Sequence, residues 1–491
     1  MRALIQAKAT SISMARQWLL LAVMLLLACP TAYATDGSRL PDLGDPGAAF
    51  MTPEQEYRLG RSWLRSLRSQ APLLHDPLVQ DYVEHLVYRL ASHSDLKDPD
   101  LAVVIVNNRE INAFAVPGGV IGLNAGLFLH SESEDEVAAV IAHEIAHVSQ
   151  RHFSRRYADS RRMNQAMLAA MLASLAVAIA GDPQAGMAGL ATTQAAAIQS
   201  QLAYSRHHER EADRVGMQML AGSGLDPHAM PRFFERMQRS RQFAGSPPEF
   251  VLTHPVTEER IADSRARAES LPRPRLRQSV DYNLIRARIQ AGFIAEPPQA
   301  VSFFKQRYEG GSSHQQQAIG FGLAVSAIRA RDFALAEQVL GTLIEQSPDQ
   351  LWFRLALAEV SEARGDHETA VAQLREVQEL MPGNYATSVM LARNLTAIEE
   401  YQAARQLLDP LLLKRPGEPL LWQMLADTWG NEGDMARAHL ARGEYLFHMG
   451  REERGIEQLN FALRHSRLRF ALHSQIRARL REMEDLNQEK F

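Results

Sequence analysis

Cysteine is all but missing from this chain: Cys29 is the single thiol among 491 residues. An intramolecular disulfide is therefore excluded, and cysteine cannot supply a metal site or a redox pair. A charge excess is missing as well. The 53 Lys and Arg face 57 Asp and Glu, for a formal net charge of −4, which gives no general reason to expect nucleic acid or an acidic membrane as partner. Long apolar runs are scarce. The run from Trp18 to Ala28 spans about eleven residues, short of the roughly twenty that cross a bilayer. What remains, 46% hydrophobic and 22% charged residues, is the composition of a soluble globular protein. It is too long for one ordinary core, so two or three domains are expected.

The N-terminus reads as a secretory signal over 1–34. Arg2, Lys8 and Arg16 supply positive charge before the apolar run, and Ala32-Tyr33-Ala34 gives the small-x-small pattern of a cleavage site. Cleavage after Ala34 leaves a mature chain without cysteine and points to the periplasm. Lipid anchoring at Cys29 is the alternative, weakened by the large Leu27 where a small residue is preferred. A Gly-, Pro- and Asp-rich lead-in follows over 35–50.

The mature chain opens with helical spacing over 54–67 and 77–90, with Thr52-Pro53 and Asp76-Pro77 as starts. Leu101–Val106, Asn112–Val116 and Val120–Leu123 read as strands of a small antiparallel sheet, with a tight turn at Pro117-Gly118-Gly119. A helix over 124–130 precedes a longer one over roughly 134–150, whose first turn collects Glu132, Glu134, Asp135 and Glu136, where negative charge suits the helix dipole. Residues 163–202, rich in Met and Ala, read as a helical hairpin. It suits a lid, a peripheral membrane contact or a buried hairpin. Further helices are expected over 204–220 and 228–239 and from Glu258, and Leu271-Pro272-Arg273-Pro274-Arg275 has linker composition. A first domain over 51–272 results.

The second half repeats. Ala324, Ala358, Ala392 and Ala426 are 34 residues apart, as are Ala336, Ala370, Ala404 and Ala438, and Pro348, Pro382 and Pro416 keep the step. Small residues at two fixed places and proline near the end match the helix–turn–helix unit of tetratricopeptide repeats. Regular repeats are expected over about 317–452, inside an α-solenoid over 281–486 with a degenerate leading hairpin and a capping helix pair.

The chemistry lies in the helix over 134–150, which carries His143-Glu144-Ile145-Ala146-His147. Histidines four apart share a helix face, so both imidazoles can reach one metal while Glu144 contacts a water on it. A third protein ligand is needed. Glu209 is the candidate, with Asp213 one turn on to orient a ligating histidine. His207, His208 and Glu211 are rivals, and an exposed polar turn is the plainer reading of all three.

These strings, with Asn112-Ala113-Phe114-Ala115 and Pro117-Gly118-Gly119, resemble the HtpX-like zinc metallopeptidases of peptidase family M48. The whole chain, leader and repeats included, is similar to the periplasmic repeat-bearing members of that family. The expected fold is mainly α: a zincin-type α+β metalloprotease domain followed by the repeat solenoid. The resemblance implies one zinc ion per chain on His143, His147 and Glu209. It also implies a regulatory extra ligand at His254, of His254-Pro255, that holds the enzyme inactive. Glu144 then serves as general base and acid. Substrate is expected to add as a strand beside Asn112, Ala113, Phe114 and Ala115. Arg260 is a weak candidate for oxyanion donor, against its plainer reading as a solvated helix charge.

The implied activity is endopeptidase cleavage of unfolded or stalled outer-membrane proteins, together with help in their assembly. The implied partners are the β-barrel assembly machinery and the lipopolysaccharide exporter, reached through the repeats. No nucleic acid is expected. The rival is a chaperone or adaptor scaffold working through its repeats, with a repressed or vestigial protease site.

Overall fold

A computed structural model describes residues 51–96, 100–159, 206–243, 249–274, 279–309, 316–467 and 469–488. The expected leader, the lead-in and the hairpin over 163–202 lie outside the described residues.

The first two helices begin where their caps dictate. At α1 (Pro53–Gln70), the Thr52 side chain accepts from the Gln55 amide and the Gln55 side chain returns to the Thr52 amide, a complete capping box with proline at the first position. At α2 (Pro77–Ala91), the Asp76 carboxylate accepts from the amides of Leu78 and Val79.

Three strands follow: β1 (Ala102–Val106), β2 (Ala113–Val116) and β3 (Val120–Asn124). The sheet is not the antiparallel one expected. Its order is β1-β3-β2, with β3 antiparallel to β2 but parallel to β1. The chain reverses twice between β1 and β3, so those two strands point the same way. The link after β1 is no hairpin: its Asn108 carbonyl accepts the Gly126 amide at 2.8 Å, just past the end of β3. β3 is buried along its whole length and takes the centre, which leaves β2 at an edge. The β2–β3 turn has Gly118 and Gly119 at φ 76 and 75, conformations that suit glycine. α1 lies directly on this turn: a Cβ on Gly60 would sit 2.0 Å from the Pro117 carbonyl oxygen.

After α3 (Ala125–His130) comes α4 (Glu134–Ser149), started by Ser133, whose side chain accepts from the Glu136 amide. Nearly all of α4 is buried, against α2, β2, α6 (Arg206–Gly222) and α7 (Ala229–Phe243), with α5 (His152–Asp159) beyond its end. α6 crosses α4 closely because Gly216 stands at the contact. A Cβ there would meet the Ala142 carbonyl carbon and the His143 nitrogen at 3.2 Å. The domain closes with a short helix the sequence did not reveal, α8 (Glu249–Thr253), and with α9 (Glu258–Glu269).

The repeats fold as helix pairs in the expected register. A leading pair, α10 (Val280–Phe293) and α11 (Pro297–Glu309), is followed by α12 (Gln316–Arg329) with α13 (Phe333–Gln346) and by α14 (Leu351–Arg364) with α15 (His367–Leu380). Then come α16 (Tyr385–Ala397) with α17 (Tyr401–Lys414), α18 (Pro419–Glu432) with α19 (Met435–His448), and the closing pair α20 (Glu452–His465) and α21 (Phe470–Gln488). All eight periodic alanines are buried, so the small residues do mark where helices meet closely.

The array also packs on the first domain. Tyr282, Ile285 and Ile289 of α10 belong to the core around α4, whereas Leu284, Ala287 and Ala291 belong to the first core of the array. The Tyr282 hydroxyl lies 2.9 Å from the Ser131 carbonyl oxygen, and Ser279 donates to Glu134 at 3.0 Å, so α10 grips the start of α4. Arg288 binds Asp76 at 2.7 Å and Glu359 at 2.6 Å. Further along, Asn384 donates to Asp81 at 2.8 Å and Arg68 to the Gly417 carbonyl at 2.8 Å. Among the described residues no helix is long and apolar enough to cross a membrane.

Candidate metal centre

Four side chains from three segments converge. His143 and His147 stand one turn apart on α4, Glu209 comes from the first turn of α6, and His254 follows α8. All four are buried, and one ligand atom of each lies within 4.8 Å of the others. His254 is set by its backbone, whose amide donates to the Phe250 carbonyl at 2.8 Å, and by its ring, stacked on Phe250 at 4.9 Å.

The spacing of the ligand atoms tests whether a metal fits. A tetrahedral site with bonds of about 2.0–2.1 Å has edges of about 3.3 Å. His143 Nε2 lies 3.0 Å from His147 Nε2 and 3.3 Å from His254 Nδ1. Glu209 Oε1 lies 3.2 Å from His254 Nδ1 and 3.5 Å from His147 Nε2, and Glu209 Oε2 lies 3.5 Å from His143 Nε2. Nitrogen and carboxylate donors at these separations suit a borderline divalent cation. The residues fit a metal.

The shell behind them is built around one arginine. Asp213, one turn after Glu209, places Oδ1 2.9 Å from His143 Nδ1, which leaves His143 Nε2 to face the cluster. Arg260 of α9 holds both carboxylates, reaching Asp213 Oδ1 at 2.8 Å and Glu209 Oε2 at 2.7 Å, and donates to the Pro255 carbonyl at 2.8 Å. The reading of Arg260 as a solvated charge is overturned, since its side chain is only 3% exposed. Its nitrogens engage the carboxylates of Asp213 and Glu209 and the Pro255 carbonyl. A charged helix gave no hint of this, because the partners lie 47 and 51 residues away.

Electrostatics follow the geometry. Burial alone would raise the Glu209 carboxyl, but His254 and Arg260 hold it well below the usual carboxylate range. Asp213 is likewise lowered, by Arg260 and His143 acting against burial. Burial would lower His143, yet its bonds to Asp213 and Glu209 raise it to about 10. Burial pushes His147 well below its ordinary value, leaving a neutral imidazole of the kind a metal needs. Glu144 is fully buried and raised by that burial, with His254 and His143 opposing, and its Oε1 lies 3.4 Å from His254 Nε2. A carboxyl raised in this way holds a proton more readily than an exposed one.

Among the rivals for third ligand, only His207 is on the exposed surface. His208 is buried and stacked on His152 at 4.5 Å, and Glu211 pairs with His152 and Arg155. The exposed-turn reading fails for those two, because α5 packs over the start of α6. His152 itself was missed, and the signal was its place in Arg151-His152, just past the second ligand. Arg151 ends α4 at φ 50 and is held by Glu56 at 3.0 Å, which turns His152 back beneath His147.

The profile of peptidase family M48 matches residues 77–268, and that of the tetratricopeptide repeat matches 362–428. The β-barrel assembly-enhancing protease of Escherichia coli K12 is 31% identical over 472 residues, covering 96% of each chain. The chain belongs to peptidase family M48. A β-barrel assembly-enhancing protease of Yersinia pestis is similar at 31% identity, over 91% of this chain and 92% of its own. The mitochondrial metalloendopeptidase OMA1 of Schizosaccharomyces pombe is 28% identical over 180 residues, 37% of this chain and 50% of its own. This M48 peptidase is thus a metallopeptidase joined to tetratricopeptide repeats, with its candidate ligands inside the matched segment.

Proposed function

We propose that this metallopeptidase is a periplasmic zinc endopeptidase that degrades misfolded or stalled outer-membrane proteins and assists their assembly. The observation that carries the catalytic part is the convergence of His143, His147 and Glu209 with Glu144 beside them. Zinc there, one ion per chain, supplies Lewis acidity that makes a water nucleophilic near neutral pH and polarises the scissile carbonyl. The chain does the rest. Glu144 accepts the attacking water's proton and returns it to the leaving amine. Asp213 fixes the ring of His143, and Arg260 keeps Asp213 and Glu209 ionised. β2, at the edge of the sheet beside α4, takes substrate as an added strand along 112–115. Main-chain pairing of this kind does not read sequence, which suits unfolded chains.

Residues 51–272 form the catalytic unit of this proposal and 281–486 the unit that engages partners. The names of the Escherichia coli and Yersinia pestis relatives refer to β-barrel assembly. They support a β-barrel assembly machinery as partner of the array, and the lipopolysaccharide exporter is the second partner of this proposal. The proposal places the protein in the periplasm, with the leader cleaved after Ala34.

His254 favours a second, compatible reading. Its Nδ1 stands beside His143 Nε2 and Glu209 Oε1 and its Nε2 faces Glu144; His254 would then join the residues that hold a metal and keep water from it, and a scaffold role through the repeats would dominate. Glu144→Gln separates the two. Zinc content should stay at one per chain while cleavage of a casein-like substrate is lost. Retained cleavage would sink the proposed chemistry, and a wild type without zinc or activity would leave the scaffold reading.

A further inference from the structure

His143 and His147 are steadied in different ways. The outer nitrogen of His143 meets the carboxylate of Asp213, whereas that of His147 meets another imidazole. His152 Nδ1 lies 2.9 Å from His147 Nδ1, and His152 Nε2 lies 3.1 Å from Glu211 Oε2. Arg155 reaches the same Glu211 oxygen at 2.9 Å.

One arrangement of protons satisfies this row. His147 turns Nε2 toward His143 and Glu209, so a ligating His147 carries its proton on Nδ1. Facing that proton, His152 Nδ1 must accept. A neutral His152 then carries its own proton on Nε2 and donates it to Glu211, a carboxylate and therefore an acceptor. The alternative, with Nδ1–H on both rings, sets two donors face to face at 2.9 Å and leaves Glu211 opposite a bare nitrogen. His152 is fully buried and stacked on His208, so its ring plane is held on the face as well as at both nitrogens.

We propose that His152 is a positioning residue for the metal centre, linking the ligand His147 to the carboxylate of Glu211 and so holding His147 Nε2 toward the metal. The row joins α4, α5 and α6, which makes the fit of α5 against α6 part of the ligand geometry. Outer partners of metal-bound histidines are typically worth about 10–100-fold in metal affinity or activity when removed. The inference rests on the metal reading of the preceding section, and the experiment keeps the two apart.

The full-length mature protein is stripped of metal, and zinc affinity is measured by competition with a chromophoric chelator. The ligand-field spectrum of the Co2+ form is recorded alongside. Wild type should bind one metal per chain; if it binds none, the metal reading itself falls. His152→Phe keeps the ring and the stack on His208 but cannot accept from His147. It should bind zinc about 10–100-fold more weakly, with an altered Co2+ spectrum. His152→Gln offers an oxygen to His147 and an amide to Glu211 and should recover most of that loss. Glu211→Ala, at the partly exposed end of the row, should weaken binding in the same direction. Wild-type affinity and spectrum in His152→Phe would overturn the proposal, even if the metal-free protein melts lower, because that is what packing alone predicts. If His152→Phe does not fold, Glu211→Ala decides, and unchanged affinity there overturns it equally.

Discussion

Arg260 meets Asp213 fork to fork, with Nε 2.9 Å from Oδ2 and Nη2 2.8 Å from Oδ1, both side chains buried. The same carboxylate steadies His143, so one ion pair underlies the stability of the fold and the aim of a metal ligand. Arg260→Met would leave Asp213 and Glu209 as buried carboxylates without their cation. Breaking such a pair costs about 3–5 kcal/mol, to be read by urea unfolding of the metal-free protein near neutral pH. Arg260→Lys keeps the charge without the planar fork and should fall between. A Met variant as stable as wild type would mean that the pair contributes nothing net.

His254 offers a test of access. If its imidazole stands where a water must sit, His254→Ala should raise cleavage of a casein-like substrate at unchanged zinc content. Equal or lower activity would assign His254 a structural or transition-state role instead.

Glu249 gives a pH signature to the short helix that precedes His254. Burial raises its carboxyl to about 7, with the Asn112 side chain opposing and the charge of Glu110 adding to the rise. A group raised in the folded state lends stability that is whole below its ordinary pKa near 4.5 and is lost as pH climbs through about 7. The full difference is up to about 3 kcal/mol. Relative to Glu249→Gln, wild type should therefore lose stability between about pH 5 and pH 8, as followed by denaturant midpoints. Parallel profiles for the two proteins would contradict the assignment.

Gly60 tests how α1 sits on the β2–β3 turn. A methyl there would lie 2.0 Å from the Pro117 oxygen and 3.1 Å from its carbonyl carbon. Both are backbone atoms that cannot swing aside. Gly60→Ala should destabilise the protein by about 1–3 kcal/mol, the usual cost of overpacking, despite alanine's better helix propensity. A gain in stability would show that the turn gives way freely.

Much of this was legible in the sequence where the signal is local and repeated. The metal helix expected over 134–150 is observed at Glu134–Ser149, and four repeat hairpins keep the 34-residue register, because helical periodicity needs no knowledge of distant partners. The direction of β1 was not legible, since a five-residue apolar strand looks the same in either sense and only its pairing with β3 shows it to be parallel. Arg260 was hidden for a related reason. It sits on a helix rich in charge, and only the packing of α9 against α6 shows that this one charge is buried. His152 and Glu211 become partners only once Arg151 reverses the chain.

The sharing of α10 between two cores bears on how the molecule can be cut. A fragment ending near residue 272, at the linker-like prolines, lacks Tyr282, Ile285 and Ile289, which fill the catalytic core. Each such side chain is worth about 1.5–3 kcal/mol when fully buried, and the loss would fall beside the start of the metal helix. A fragment beginning near 280 has the opposite defect, with the same three side chains turned to water and free to stick to one another. A fragment that keeps the core around α4 filled therefore runs at least to Phe293, and it takes the first helix of the array with it.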